Sequence, residues 1–235
     1  MKSITLIIAV ALCAVLSAYA DLAGTYKTIA MDGSSADWSN PGDVLYDATE
    51  IGAGAPASSS YDAISLANDG VNLYMGLDTS GAGGASVWNT WTRNIYLDTD
   101  SVGGTGFNAG WMAHGYDYLV QYGASGSSYS LFSFGGASQS DWTWNWLGLV
   151  TYAYADETSE FLELSVGLSS LGLTGGEDIV AEFNVTGTGV TTETWAYQWE
   201  SGAETYTVAI PEPATLSMVA TLGGAILFFR RKFMR

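Results

Sequence analysis

Between residues 62 and 210 the chain repeatedly alternates apolar with polar or small residues, and that period of two is what limits the folds open to it. Val71, Leu73, Met75 and Leu77 take every second position, as do Leu162, Leu164 and Val166, and again Ile179, Ala181, Phe183 and Val185. Successive side chains of a strand point to opposite faces, so such segments are strands with one buried face. NIYLDTD (94–100), YDYLVQY (116–122), YSLFSF (129–134), LVTYAYA (149–155), TWAYQWE (194–200) and YTVAI (206–210) read the same way. Between them lie DTSGAGGAS (78–86), DSVGGTG (100–106), GASGSS (123–128) and FGGASQSD (134–141). These are turns, because Gly accepts positive φ and Asp or Asn bonds its own backbone. No helical period runs through this region, though LSSLGLTG (168–175) has room for one helical turn. About ten short strands with one apolar face each are best buried as two packed antiparallel sheets. The expected fold is all-β, an antiparallel sandwich of jelly-roll type over residues 21–209.

The two ends differ from this middle. Lys2, an apolar run from Ile4 to Leu16 and the small-residue triplet Ala18-Tyr19-Ala20 form a secretory signal over residues 1–20. Cys13, the only cysteine, falls inside it, so the mature chain has no thiol, disulfide or cysteine metal site. At the other end Pro211-Glu212-Pro213 precedes an apolar segment at 214–229 and a basic tail at 230–235 with Arg230, Arg231, Lys232 and Arg235. Sixteen residues make a helix of about 24 Å, short for a bilayer core of roughly 30 Å, so the flanking Arg and Lys must snorkel or the bilayer must thin. The basic end is expected on the cytoplasmic side. The two prolines each lack an amide donor and keep the preceding chain extended, which suits a segment threaded into a processing enzyme.

This order of motif, apolar helix and basic tail over residues 210–235 resembles a PEP-CTERM sorting signal. The resemblance implies export across the inner membrane, transient retention there by the tail, and recognition by an exosortase-type membrane enzyme that acts near Pro211-Glu212-Pro213. The product would reside at the cell surface or in the extracellular matrix.

Charge narrows the partners of the middle domain. From Asp21 to Glu204 there are 23 carboxylates against two cations, Lys27 and Arg93, a net of −21. Such a surface repels phosphate backbones and anionic lipid and favours divalent cations. Nucleic acid is therefore excluded as a partner. Abundant Trp, Tyr, Val and Leu argue for a packed fold rather than a disordered acidic chain.

A second set of motifs follows in order: MDGSSADWS (31–39), YDAISLANDGVNLYMGLDTS (61–80), NIYLDTDSVGGTGF (94–107), HGYDYLVQY (114–122) and TSEFLELSVGLSSLGL (158–173). Over residues 31–173 this resembles family-nine carbohydrate-binding-like, DOMON-like domains. It departs from them at Met31, where Ile or Leu is usual, and at Ser165-Val166-Gly167, which replaces an Ile-Pro step. The resemblance implies a sandwich that binds sugar or a cofactor, or serves as a bare structural module.

Sugar recognition needs exposed aromatic faces with a few polar groups beside them. Trp88 and Trp91 sit among loop residues in VWNTWTRN and are candidates for facing a ligand. Trp142, Trp144 and Trp146 alternate in DWTWNW and so share a face, either toward the core or toward a polysaccharide. Trp195, Tyr197 and Trp199 alternate likewise and read as core.

Asp98 and Asp100 open DTDSVG like a calcium loop, but Val102 and Ala109 stand where a helix-loop-helix site needs ligands. Two readings remain: a structural calcium held with a remote carboxylate such as Asp32, or side chains that cap the turn completed by Gly103 and Gly104. Catalysis finds little support. His114 is the single imidazole, no Gly-x-Ser-x-Gly elbow is present, and nothing singles out a carboxylate pair. The reading is a non-catalytic domain.

Overall fold

A computed structural model of the chain describes residues 22–47, 63–78, 91–110, 112, 114–123, 128–155, 161–187, 194–196 and 205–210. The expected signal at 1–20, Trp88 and the whole tail with Pro211, Glu212, Pro213, Arg230 and Arg231 lie outside the described residues. Among the described residues no helix is long and apolar enough to cross a membrane.

Among the described residues the chain forms thirteen strands. One sheet takes its order from β1 (Leu22–Ala23), β13 (Thr205–Thr207), β11 (Asp178–Gly187), β5 (Trp91–Asp98), β6 (Tyr118–Tyr122), β7 (Tyr129–Phe134) and β8 (Trp144–Leu149), with β12 (Thr194–Ala196) also paired to β11. The other runs through β2 (Val44–Asp47), β3 (Ala63–Asn68), β4 (Asn72–Asp78), β10 (Phe161–Gly167) and β9 (Thr151–Ala153). Pairing is antiparallel throughout both sheets except between β1 and β13, which run parallel. The helical turn expected after β10 is a 3-10 turn over Leu168–Leu171, closed by Gly172 in the left-handed region.

The period-two pattern produces this sandwich directly. Leu73, Met75 and Leu77 of β4 and Leu162, Leu164 and Val166 of β10 turn inward and meet Ile95, Leu97, Val120, Ile179, Ala181 and Phe183 from the facing sheet. Each such Leu or Ile withdrawn from water contributes on the order of 2 kcal/mol.

The outer faces are covered as well, which period two does not foretell. On the β4 and β10 side the segment 24–40 lies across Tyr74, and Trp38 and Ile29 form a small second core there. Trp38 lies so close to Gly76 that a Cβ on that glycine would stand 2.9 Å from the indole ring. Gly33 reaches the backbone of Tyr154 and Ala155 at φ +78, a place no side chain fits. The fastening is Glu163, fully buried on the outer face of β10. Its Oε2 accepts from the Asp32 and Gly33 amides at 3.0 and 2.7 Å, and its Oε1 from the Trp38 indole at 2.9 Å. Thus DGSSADW and TSEFLE, far apart in sequence, are two halves of one buried contact.

Asn68, at the end of β3, joins the first and last described segments. Its Oδ1 accepts from the Tyr206 hydroxyl and the Ala209 amide at 2.8 and 2.7 Å, and its Nδ2 donates to the Asp69 and Ala209 carbonyls, both at 3.0 Å. Its backbone bonds Thr25 and Lys27. All four hydrogen-bonding positions of the amide are filled, and the residue has no exposed surface.

Glu163→Ala is expected to leave the Gly33 amide and the Trp38 indole unpaired in a closed site, the Asp32 amide keeping the Ala30 carbonyl, and to destabilise the fold by about 3–5 kcal/mol. Glu163→Gln, which keeps an acceptor, should cost less; urea unfolding of both variants measures the difference.

Candidate functional site

The large sheet carries Asp98, Trp144 and Trp146, all singled out in the sequence, on its outer face. Ile95, Leu97 and Val120 point into the main core, so Tyr96, Asp98 and Leu119 point away from it. The long connection from β5 to β6 folds back over them. Phe107 lies nearly parallel to Tyr96 at 6.2 Å, and Tyr116, Met112 and Leu119 complete a buried cluster. Phe132, Phe134 and Trp144 pack against its rim.

The tryptophans separate here. Trp144 pairs with Phe134 across the β7–β8 ladder and lies 5.7 Å from Phe107. Its buried Nε1 has no hydrogen-bond partner among the described residues, so packing alone fixes the ring. Trp142 sets its edge on Phe107 at 5.0 Å yet leaves 54% of its surface in solvent. Trp146 pairs with Phe132 and is 59% exposed. Trp144 therefore supports the face, and Trp142 and Trp146 present it. Trp91 opens β5 opposite Gly187, and its side chain, like that of Trp195, is not among the described ones.

Asp98 and Asp100 do come together, and each also caps the turn. Asp98 Oδ1 accepts from the Asp100 and Ser101 amides at 3.2 and 2.8 Å, and Asp100 Oδ1 accepts from the Val102 amide at 2.8 Å. Ser101 takes φ 54 within this turn. The third carboxylate in reach is Asp117: one oxygen from each of the three lies within 4.8 Å of the others. Asp32 is instead on the turn held by Glu163, on the outer face of the other sheet. Asp117 follows from strand register, because Leu97 pairs with Tyr118 and the next residues in each direction are Asp98 and Asp117. Burial, then repulsion from Asp100 and Asp98, pushes the Asp117 carboxyl upward, while the Thr99 amide and hydroxyl oppose the shift. A hard cation with oxygen ligands suits three carboxylates that otherwise repel one another.

Beside this cluster runs a line of buried polar groups. Asp98, without exposed surface, takes His114 Nδ1 at 3.1 Å on its second oxygen. The Tyr116 hydroxyl donates to Glu182, which is 1% exposed on the outer face of β11. Burial pushes the Glu182 carboxyl from an ordinary 4.5 up to about 7, against the lowering influence of the Tyr116 hydrogen bond and His114. Cations are scarce. Lys27 is committed to Asp43 and to the Asp37 carbonyl, with its ammonium 5.4 Å from the Trp38 ring centre. What the face offers a ligand is flat aromatic surface without nearby ammonium or guanidinium among the described side chains.

No family model matches the chain. No curated protein matches it either. Among solved structures, a protein of Bacteroides uniformis described provisionally as carbohydrate-binding aligns with a TM-score of 0.41 and 10% identity, over 81% of this chain and 90% of that one. A likeness at that level does not bear on what this chain binds.

A carboxyl raised on folding stabilises fully below its unfolded pKa and loses that contribution as pH climbs through its folded value. Between pH 4.5 and about 7, Glu182 should therefore withdraw about 3 kcal/mol of stability. Melting curves across this range should show the fall in the parent chain and a flatter profile in Glu182→Gln.

Proposed function

We propose that this chain is an exported surface or extracellular-matrix protein, handled through its tail by an exosortase-type membrane enzyme, whose β-sandwich is a non-catalytic module for an extracellular polysaccharide. The observation that carries the binding reading is the pair Trp142 and Trp146, both more than half exposed on a face braced from behind by Trp144, Phe107, Phe132 and Phe134. Sugar C–H faces stack on such rings, and a rigid backing keeps the rings in place before the ligand arrives. The absence of charge from Trp142 to Ala155 favours a neutral glycan over a sulfated or phosphorylated one. Export and processing rest on the signal at 1–20 and on Pro211-Glu212-Pro213 with the basic residues after the apolar segment.

A second reading, a ligand-free structural protein of the envelope or biofilm matrix, draws support from the apolar strand β8 beside the same face, which ends its sheet among the described residues.

Affinity electrophoresis through neutral polysaccharides separates the two. Retardation by at least one glycan, weakened about tenfold by Trp142→Ala and again by Trp146→Ala, is the expected result. Equal mobility in every gel would leave the structural reading.

The three clustered carboxylates add a proposal of a structural calcium at Asp98, Asp100 and Asp117. A bound ion stabilises by mass action, so millimolar calcium should raise the melting temperature by several degrees and a chelator should reverse it. Identical curves would remove the ion. For the tail, mass spectrometry of protein collected outside the cell should find a C-terminus near residue 211; a chain intact to Arg235 would contradict processing.

A further inference from the structure

We propose that β8 is a strand-pairing edge through which two copies of this chain join antiparallel about a two-fold axis, continuing their large sheets into one. The inference stands apart from glycan binding, because it uses the edge of the sheet rather than its aromatic face. β8 is the last strand in its sheet, bonded to β7 on one side and to no described strand on the other. Phe134 donates its amide to Asp117 on the β6 side, so in the alternating ladder its partner Trp144, and Trp146 two residues on, turn their own N–H and C=O groups to the free side. Leu147 and Leu149 flank this row at 47% and 68% exposure.

Proteins usually guard such an edge with lysine, proline or an inward charge. WNWLGL has none of these. Its one guard is a bulge, where Gly148 and Trp146 face the consecutive residues Leu131 and Phe132 and leave Leu147 unpaired. The bulge shortens the usable ladder, so side chains must supply much of the contact. A groove of about 200 Å³ lies against the strand, with Leu147, Leu149, Val150, Thr151, Ser165 and Ser170 in its walls.

Charge selects the occupant. The chain carries −17 overall, yet fourteen consecutive residues from Trp142 to Ala155 carry no charge. A cationic partner would be drawn to the acidic surface elsewhere. Two acidic copies meet without charge repulsion where neutral strips face one another, and the copy's own β8 is a neutral strip of matching length and apolar pattern. A two-fold pairing of this kind also closes, since it leaves neither β8 exposed.

The test uses the full chain with Cys13→Ser, so that introduced thiols are alone. Trp144→Cys, Asn145→Cys, Trp146→Cys, Leu147→Cys and Leu149→Cys are oxidised one at a time under identical conditions. Only residues near the axis face their own copy, so disulfide dimer should peak at one position and fall away on both sides. Leu147→Lys with Leu149→Lys should weaken association about tenfold in sedimentation while thermal melting of these exposed positions stays unchanged. A flat, low crosslinking profile, or dimers indifferent to the two lysines, would overturn the proposal.

Discussion

Each sheet of this sandwich buries a glutamate on its outer side, and those two side chains hold the coverings in place. Glu163 grips the N-terminal turn through two backbone amides and an indole. Glu182 takes the phenol of Tyr116, at the end of the connection that roofs the large sheet. A carboxylate deprived of water is costly unless donors replace the lost hydration, so each glutamate dictates what must lie over it. Without the first, Trp38 loses its seat above Gly76. Without the second, the layer that backs Trp142 and gathers Asp98, Asp100 and Asp117 is loosened. The two fastenings differ in kind: two peptide amides and an indole hold Glu163, whereas a phenol meets Glu182, whose carboxyl burial pushes upward.

The strands were legible because burial on one face writes itself into sequence as period two. β4, β5, β6, β7, β10 and β11 fall where that alternation runs, and even the single helical turn at Leu168–Leu171 has its signal. β1 is two residues long and β2 four, too short for a pattern to emerge, and the parallel pairing of β1 with β13 depends on a meeting of chain ends. The tryptophans show where alternation stops informing. It places Trp144 and Trp146 on one face, but which of them reaches solvent depends on Phe107, in a covering connection more than thirty residues away. Asp117 was readable in principle, since a hairpin register carried back from YLVQY sets it opposite Asp98; a remote partner such as Asp32 needed no such register and is placed by Glu163 instead.

Surface chemistry ties the aromatic face to the adjoining edge. An acidic exterior opposes the approach of another copy, and a neutral aromatic strip set into it is a place where that opposition is absent. Face and edge share β8, yet they ask different things of it: the face needs rings held at fixed angles, and the edge needs open backbone. The bulge at Leu147 lets one strand serve both, because it interrupts the ladder between Trp146 and Gly148 while leaving the paired aromatics Trp144 and Trp146 in step with Phe134 and Phe132.

Asn68 has a mechanical meaning as well. Tension applied beyond Ile210 arrives first at Ala209, whose amide and carbonyl are both tied to the Asn68 side chain. The force then passes into β3 in the smaller sheet rather than peeling β13 directly from its neighbours. A globule pulled by its trailing end would thus bear the load through one saturated amide linking both layers, and the strength of that knot sets how hard it can be tugged before it begins to unravel.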